Sequence, residues 1–198
     1  MGLSSGNSLV STASGGGASG LTGAQVQTLI KSNTPYQHIA TLTADSTSAF
    51  DYTSLPSDFR TFRILFDGLH FSNNAYVRMQ LYFNSSLYTG TMYFRGGMNK
   101  DTTSTSNYHT QQGYWDFTHN YQVSSGGYFT GYIEFFGNDT YGRTTMNSFT
   151  TWYYNSSVRS NLMAGHVEAN SNQNITGFKL YPDSGTMNRG SIKIYGMN

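Results

Sequence analysis

The side chains able to do acid, base or metal chemistry are few and scattered along this chain. His38, His70, His109, His119 and His166 show no paired spacing of the kind a zinc site uses, and cysteine is absent. No metal centre is expected from that pattern. Sugar hydrolysis needs two carboxyl groups facing one another across a cleft, and Asp67, Asp116, Glu134 and Glu168 are the acids available for such a pair. With only 10 acids in 198 residues, turn and edge roles are the expectation for them. Glu134 and Glu168 fall on wetted strand positions, where a charge discourages edge pairing. No GxSxG elbow, phosphate loop or dinucleotide fingerprint is present, so neither a catalytic set nor a cofactor is expected. The glycine pairs Gly96 with Gly97 and Gly126 with Gly127 read as hairpin connections.

Aromatic side chains remain, at 16% of the chain with 16 Tyr. Tyrosine combines a flat apolar face with a hydroxyl at low entropy cost, which suits a sugar platform or a wet interface. It is equally a favoured strand residue that packs across strands on a wetted face. Trp115 and Trp152 are the sharper candidates for stacking on a glycan, set against a role in the core or in a subunit contact.

Composition narrows the partners. A formal net charge of +1 with 11% charged residues supplies no basic field for nucleic acid and no acidic field for cationic partners. Recognition then rests on shape, rings and hydrogen bonds. No apolar run reaches the length of a membrane span, and the N-terminus lacks a secretory profile, so neither membrane insertion nor a signal peptide is expected. Without such a signal, the sequons at Asn84, Asn138, Asn155 and Asn174 read as chance products of a surface rich in Asn, Ser and Thr.

The elements that must position these residues divide the chain in three. Residues 1–20 are almost all Gly, Ser, Thr and Ala and lack the apolar surface to offset their ordering entropy, so they read as an extended anchoring arm. Fully extended, such an arm reaches about 70 Å at about 3.5 Å per residue. Residues 21–35 carry a short helical signal, with Thr22 as N-cap, Gln25 completing a capping box and Pro35 closing it. Its stripe of Val26, Leu29 and Ile30 needs a cover, either the head of the same chain or the same helix from neighbouring copies. Leu9, Val10 and Leu21 complete the apolar set assigned to assembly and anchoring.

From residue 36 the period becomes two. Strands are expected over 36–44, 48–53, 60–66, 75–83, 87–95, 108–118, 128–136, 149–154, 162–169, 175–181 and 191–195, with no crossover helices between them. That pattern predicts an all-β fold, an antiparallel β-sandwich of jelly-roll type over residues 36–198. Residues 98–107 form the longest polar stretch of the head and are expected to be an exposed loop tip.

The closing segment ITGFKLYPDSGTMNRGSIKIYGMN, together with LTGAQVQTLI ahead of YQHIATLTA and with FDYTSLPSDFRTFRILFDGL, resembles small virion structural proteins of tailed bacteriophages. These are tail-fibre, receptor-binding or decoration proteins. The resemblance implies a homotrimeric, non-enzymatic protein of the virion, fixed by its N-terminus to other tail, baseplate or capsid proteins, with its β head outward. A chain without cysteine, made in a reducing cytoplasm yet working outside the cell, fits that setting. Contact with host surface glycan is the expected use of a head rich in Tyr, Asn and Ser; capsid cement, or a carbohydrate-binding module or glycan hydrolase, are the alternatives. Deleting residues 1–20 is expected to leave the head folded, with an unchanged melting midpoint and circular dichroism spectrum, while particle attachment is lost. An unfolded product would place the domain boundary elsewhere.

Overall fold

A computed structural model of the chain describes residues 36–91, 93–100, 105–136, 143–168 and 174–197. The expected arm and short helix, with the apolar residues Leu9, Val10, Leu21, Val26, Leu29 and Ile30, lie outside the described residues, as does Asn138. Residues Pro35–Asn198 form one compact unit. In chain order its strands are β1 (Gln37–Thr43), β2 (Phe50–Tyr52), β3 (Thr61–Phe71), β4 (Val77–Phe83), β5 (Ser86–Leu87), β6 (Tyr93–Lys100) and β7 (Thr105–Gln112). They continue with β8 (Trp115–Asp116), β9 (Tyr128–Phe136), β10 (Arg143–Tyr154), β11 (Ser157–Glu168), β12 (Ile175–Pro182) and β13 (Met187–Met197). Among the described residues there is no helix, and hence none long and apolar enough to cross a membrane.

Among the described residues every strand pairing is antiparallel. One sheet has eight strands in the order β1-β13-β3-β9-β10-β11-β6-β7; the other has five, ordered β2-β12-β4-β5 with β8 also against β4. β3 pairs with β13 in the larger sheet while β4 pairs with β12 in the smaller, the nested closure expected of a jelly-roll-like chain. Alternation decides which face each strand buries. Phe62, Ile64 and Phe66 of β3 and Val77, Met79, Leu81 and Phe83 of β4 all point into one shared core. Ile192 and Ile194 join them, with Lys193 and Tyr195 on the opposite side. Each such aliphatic or aromatic side chain contributes about 1.5–3 kcal/mol on burial, which is why the period-two pattern fixes the faces.

Several strands run further than their alternation suggests, and the reason is local. The pattern of β3 breaks at Asp67 and Gly68, yet the strand continues to Phe71 because paired bulges on β3 and β13 reset the register. Gly68 (φ 61°) and Gly190 (φ 93°) face each other there, and a Cβ on Gly190 would collide with the carbonyl oxygen of Gly68. β13 accordingly begins at Met187, before the expected start at Ser191.

The expected loop tip at residues 98–107 is corrected: Met98, Asn99 and Lys100 end β6, and β7 begins at Thr105. Gly96 and Gly97 are likewise not a hairpin connection but lie inside β6. Gly126, with φ 71°, does sit in a turn. The placement of Glu134 and Glu168 at edges is also corrected, since β9 and β11 are both interior strands. The sequons at Asn84 and Asn155 have a structural use. Asn84 and Ser85 (φ 48° and 66°) connect β4 to β5, and Asn155 and Ser156 (φ 44° and 64°) connect β10 to β11. Two central residues with positive φ are the signature of the tight hairpin turn that matches strand twist, and Asn tolerates that conformation.

Serine tolerates it less well than glycine. Ser156→Gly is therefore expected to raise stability by roughly 0.5–1 kcal/mol, the left-handed penalty less the entropy cost of glycine. The check is chemical denaturation, and an unchanged or lower midpoint would reject strain at this turn.

Candidate functional site

The residues singled out by type do not converge on a catalytic centre. Trp115 and Trp152 are both fully buried, so the expectation that they stack on a glycan is corrected. Trp115 packs edge-on to Tyr93 at 5.5 Å, and Trp152 projects inward from β10. Large rings on inward positions close the gap between the sheets. The four acids are engaged separately. Asp67 holds Lys193 at 2.8 Å, Glu134 is ion-paired with Arg63, Asp116 lies in the interior, and Glu168 stands 3.8 Å from His166. Among the described residues no group of three or more His, Cys, Asp or Glu is placed to hold a metal ion.

What the fold does bring together is a surface feature. On the outer face of the larger sheet, cross-strand neighbours line up in rows that run across the strands. Gln111, Phe94, His166, Thr145 and Phe136 form one row. His109, Gly96, Ala164, Asn147, Glu134 and Arg63 form the next. Met98, Leu162, Phe149, Tyr132 and Leu65 form the third. Adjacent rows are two residues apart along each strand, about 6.7 Å, and neighbouring strands are about 4.8 Å apart.

The middle row is a floor. Gly96 and Ala164 leave it low, while the flanking rows stand up as ridges, giving a trough with sections of about 610 and 390 Å³. On one side the rings of Phe94 and His166 stack at 4.6 Å. On the other, Leu162, Phe149 and Met98 are 54%, 43% and 42% exposed. Polar groups sit along the floor: His109 at the β7 end, Asn147 midway, and the Arg63–Glu134 pair beyond. Arg63 lies 4.5 Å from the Tyr36 ring and 5.0 Å from that of Tyr132, which closes the far end.

The hairpin of β6 and β7 supplies one end of the trough, and a buried polar cluster beneath it holds that hairpin in place. Arg95, next to Gly96 but pointing inward, is 2% exposed. It donates to Thr110 Oγ1 at 2.7 Å, to the Gln112 side chain at 3.3 Å and to the Asp116 carbonyl, with the Asp116 carboxylate at 3.6 Å. His119 lies over the Tyr108 ring at 3.8 Å with its Nδ1 3.4 Å from Arg95 Nη2, and the Asn161 amide donates to the Phe117 carbonyl at 2.9 Å. Tyr108 in turn donates its hydroxyl to Asn161 at 3.0 Å. Burial and the nearby Arg95 charge push the His119 imidazole below its ordinary pKa, more than Asp116 restores it.

Comparison of the chain with protein-family profiles, with curated proteins and with solved structures finds no match. The trough and its ridges were missed from sequence because their members are spread over six strands. The signal that could have exposed them is the set of apolar residues on expected outer positions, Phe149 and Leu162 above all.

The cluster carries a pH signature. As pH falls through about 6.5 the unfolded chain protonates at His119 while the folded chain does not, so stability is lost from there down to the lowered folded-state pKa. A melting midpoint followed from pH 7.5 to 5.5 is expected to fall more steeply for the parent chain than for His119→Asn. Equal slopes would show that His119 is not coupled to folding.

Proposed function

We propose that this chain is a structural protein of a tailed-phage virion, a tail or baseplate fibre that acts by contact and not by catalysis. Its N-terminal segment, through Leu9, Val10, Leu21, Val26, Leu29 and Ile30, gathers three copies and fixes them to neighbouring virion proteins. Its β head projects toward the host surface. The observation that carries this reading is the outer face of the larger sheet. A nearly neutral head that displays aligned apolar ridges on a rigid antiparallel sheet is built for contact with other macromolecules. The resemblance of the closing segment and of the early strands to small virion proteins supplies the setting.

Contact with host glycan is supported by one specific feature. Tyr128 and Tyr153 stack at 6.3 Å beside Val158, and Tyr128 is 41% exposed, so flat rings with hydroxyls are presented at one end of the outer face. That arrangement suits the apolar face of a sugar with hydrogen bonding at its rim. The alternatives separate by location and by chemistry.

Imaging of virions carrying a labelled head is expected to show density on the tail. Density on the shell would make the protein capsid cement, and density on neither would overturn the virion reading. On a glycan array the full chain is expected to bind host polysaccharide and to lose at least tenfold in affinity in Tyr128→Ala/Tyr153→Ala. Depolymerisation of that polysaccharide, abolished by Glu168→Gln, would make the protein a hydrolase.

A further inference from the structure

The outer face of the larger sheet is corrugated, and its relief bears on assembly. Beyond the ridge of Met98, Leu162 and Phe149 lies a fourth row of Lys100, Ser160, Thr151 and Thr130, again low except at Lys100. Four successive rows therefore alternate: a ridge with Phe94, His166 and Phe136, a floor with Gly96 and Ala164, a ridge with Met98, Leu162 and Phe149, then a second floor of Ser and Thr. A half-turn about an axis lying in the face, parallel to the rows and midway between the second and third, exchanges the second row with the third and the first with the fourth. On β6 and β11 the ridge of the third row then meets the floor of the second.

We propose that this face is a two-fold interface between the heads of two copies of this chain. Under the half-turn, Leu162 of one copy faces Ala164 of the other, Met98 faces Gly96, His166 faces Ser160 and Phe136 faces Thr130, large against small at these four positions, while Phe94 faces Lys100, Tyr132 faces Glu134 and Leu65 faces Arg63. The centre of the face, on β6 and β11, is thus self-complementary in shape, the requirement for an isologous contact. Sheets packed face to face sit about 10 Å apart with strands nearly aligned, which this operation preserves.

Size and charge agree with that occupant. Four rows across five strands cover about 650 Å² of flat sheet from strand and residue spacing, and side-chain relief brings this toward the ~800 Å² per partner of a standard interface. Glu134 is already neutralised by Arg63 of its own chain, and the half-turn sets the Lys100 ammonium of one copy opposite the Phe94 ring of the other. The large apolar residues exposed on the ridges are Leu162, Met98, Phe149 and Phe136, types that gain on leaving water, and Met and Phe are enriched in protein interfaces. A glycan would use the floor but leave the aliphatic ridge of Leu162 and Met98 wet. The pairing is independent of the three-fold gathering proposed for the N-terminal segment, and it joins heads two by two.

The absence of cysteine makes the test clean, because a single introduced thiol is unique. In the full chain, Leu162→Cys is expected to react with a maleimide at least tenfold more slowly at micromolar than at nanomolar protein concentration. Ser57→Cys, on an exposed turn, is expected to react equally at both. Adding Ala164→Arg to Leu162→Cys fills the floor at an exposed position. That second change is expected to restore fast labelling of the ridge thiol and to halve the mass in sedimentation equilibrium, with the circular dichroism spectrum unchanged. Labelling of the ridge thiol at the control rate at all concentrations would overturn the proposal. So would protection that survives Ala164→Arg, or protection produced by an added host oligosaccharide and not by concentration. None of these results bears on where the protein sits in a virion.

Discussion

The buried guanidinium of Arg95 sets the terms for one whole side of the head, because the two sheets are unequal. Eight strands face five, and the inner surface of β6, β7 and β11 extends where the smaller sheet offers few strands to cover it. Beside the apolar contacts of Tyr93, Met163 and Val167, a polar cover is used there. Arg95, Asn99, Thr150 and Asn161 project inward as polar groups, and the chain segment around Phe117 and His119 supplies carbonyls to meet them. A charge placed at 2% exposure is tolerable only when its donors are used, and Arg95 spends them on Thr110, Gln112 and Asp116. Removing either partner of such a pair costs about 3–5 kcal/mol, since the other is left charged and dry.

That cluster connects folding to the outer face. Strand β7 reads TSNYHTQQ and has no apolar alternation with which to hold itself in a sheet. It is fixed from the inside, by Thr110 and Gln112 on Arg95 and by Tyr108 on Asn161, and from the flank by its ladder with β6. Gly97 lets the Tyr108 hydroxyl and the neighbouring strand lie close, and Gly96 beside it lowers the outer surface. The same two residues therefore serve an inner contact and an outer trough. A polar interior at one end and an apolar exterior above it invert the usual distribution, and both inversions occur on the same strands.

A contact protein gains from this arrangement. Antiparallel sheet is stiff across its ladders, so residues in register stay aligned without help from loops, and a corrugated face keeps its relief when a partner arrives. The rows are built from ordinary residues whose only unusual property is where they are left. Leu162 at 54% exposure and Phe149 at 43% would be unremarked singly, but together with Met98 they form a continuous edge. Continuity is what separates an interaction surface from scattered apolar exposure.

Local residue pattern was enough for the fold class and for the buried faces. Alternation in β3, β4 and β13 assigned Phe62, Ile64, Val77, Met79, Ile192 and Ile194 to the core because a one-residue slip would expose all of them at once. It failed where alternation is interrupted or absent: at the bulges of Gly68 and Gly190, which carry strands past an apparent end, and in polar β7, which is held by distant partners. Strand order was equally hidden, since the pairings of β3 with β13 and of β6 with β11 join residues far apart in the chain. The closed fold was needed to establish that Trp115 and Trp152 are core, that Arg95 is buried, and that residues from six strands share one trough. The physical reason is range: a side chain's face follows from its immediate neighbours, whereas a row across a sheet exists only once the whole chain has closed.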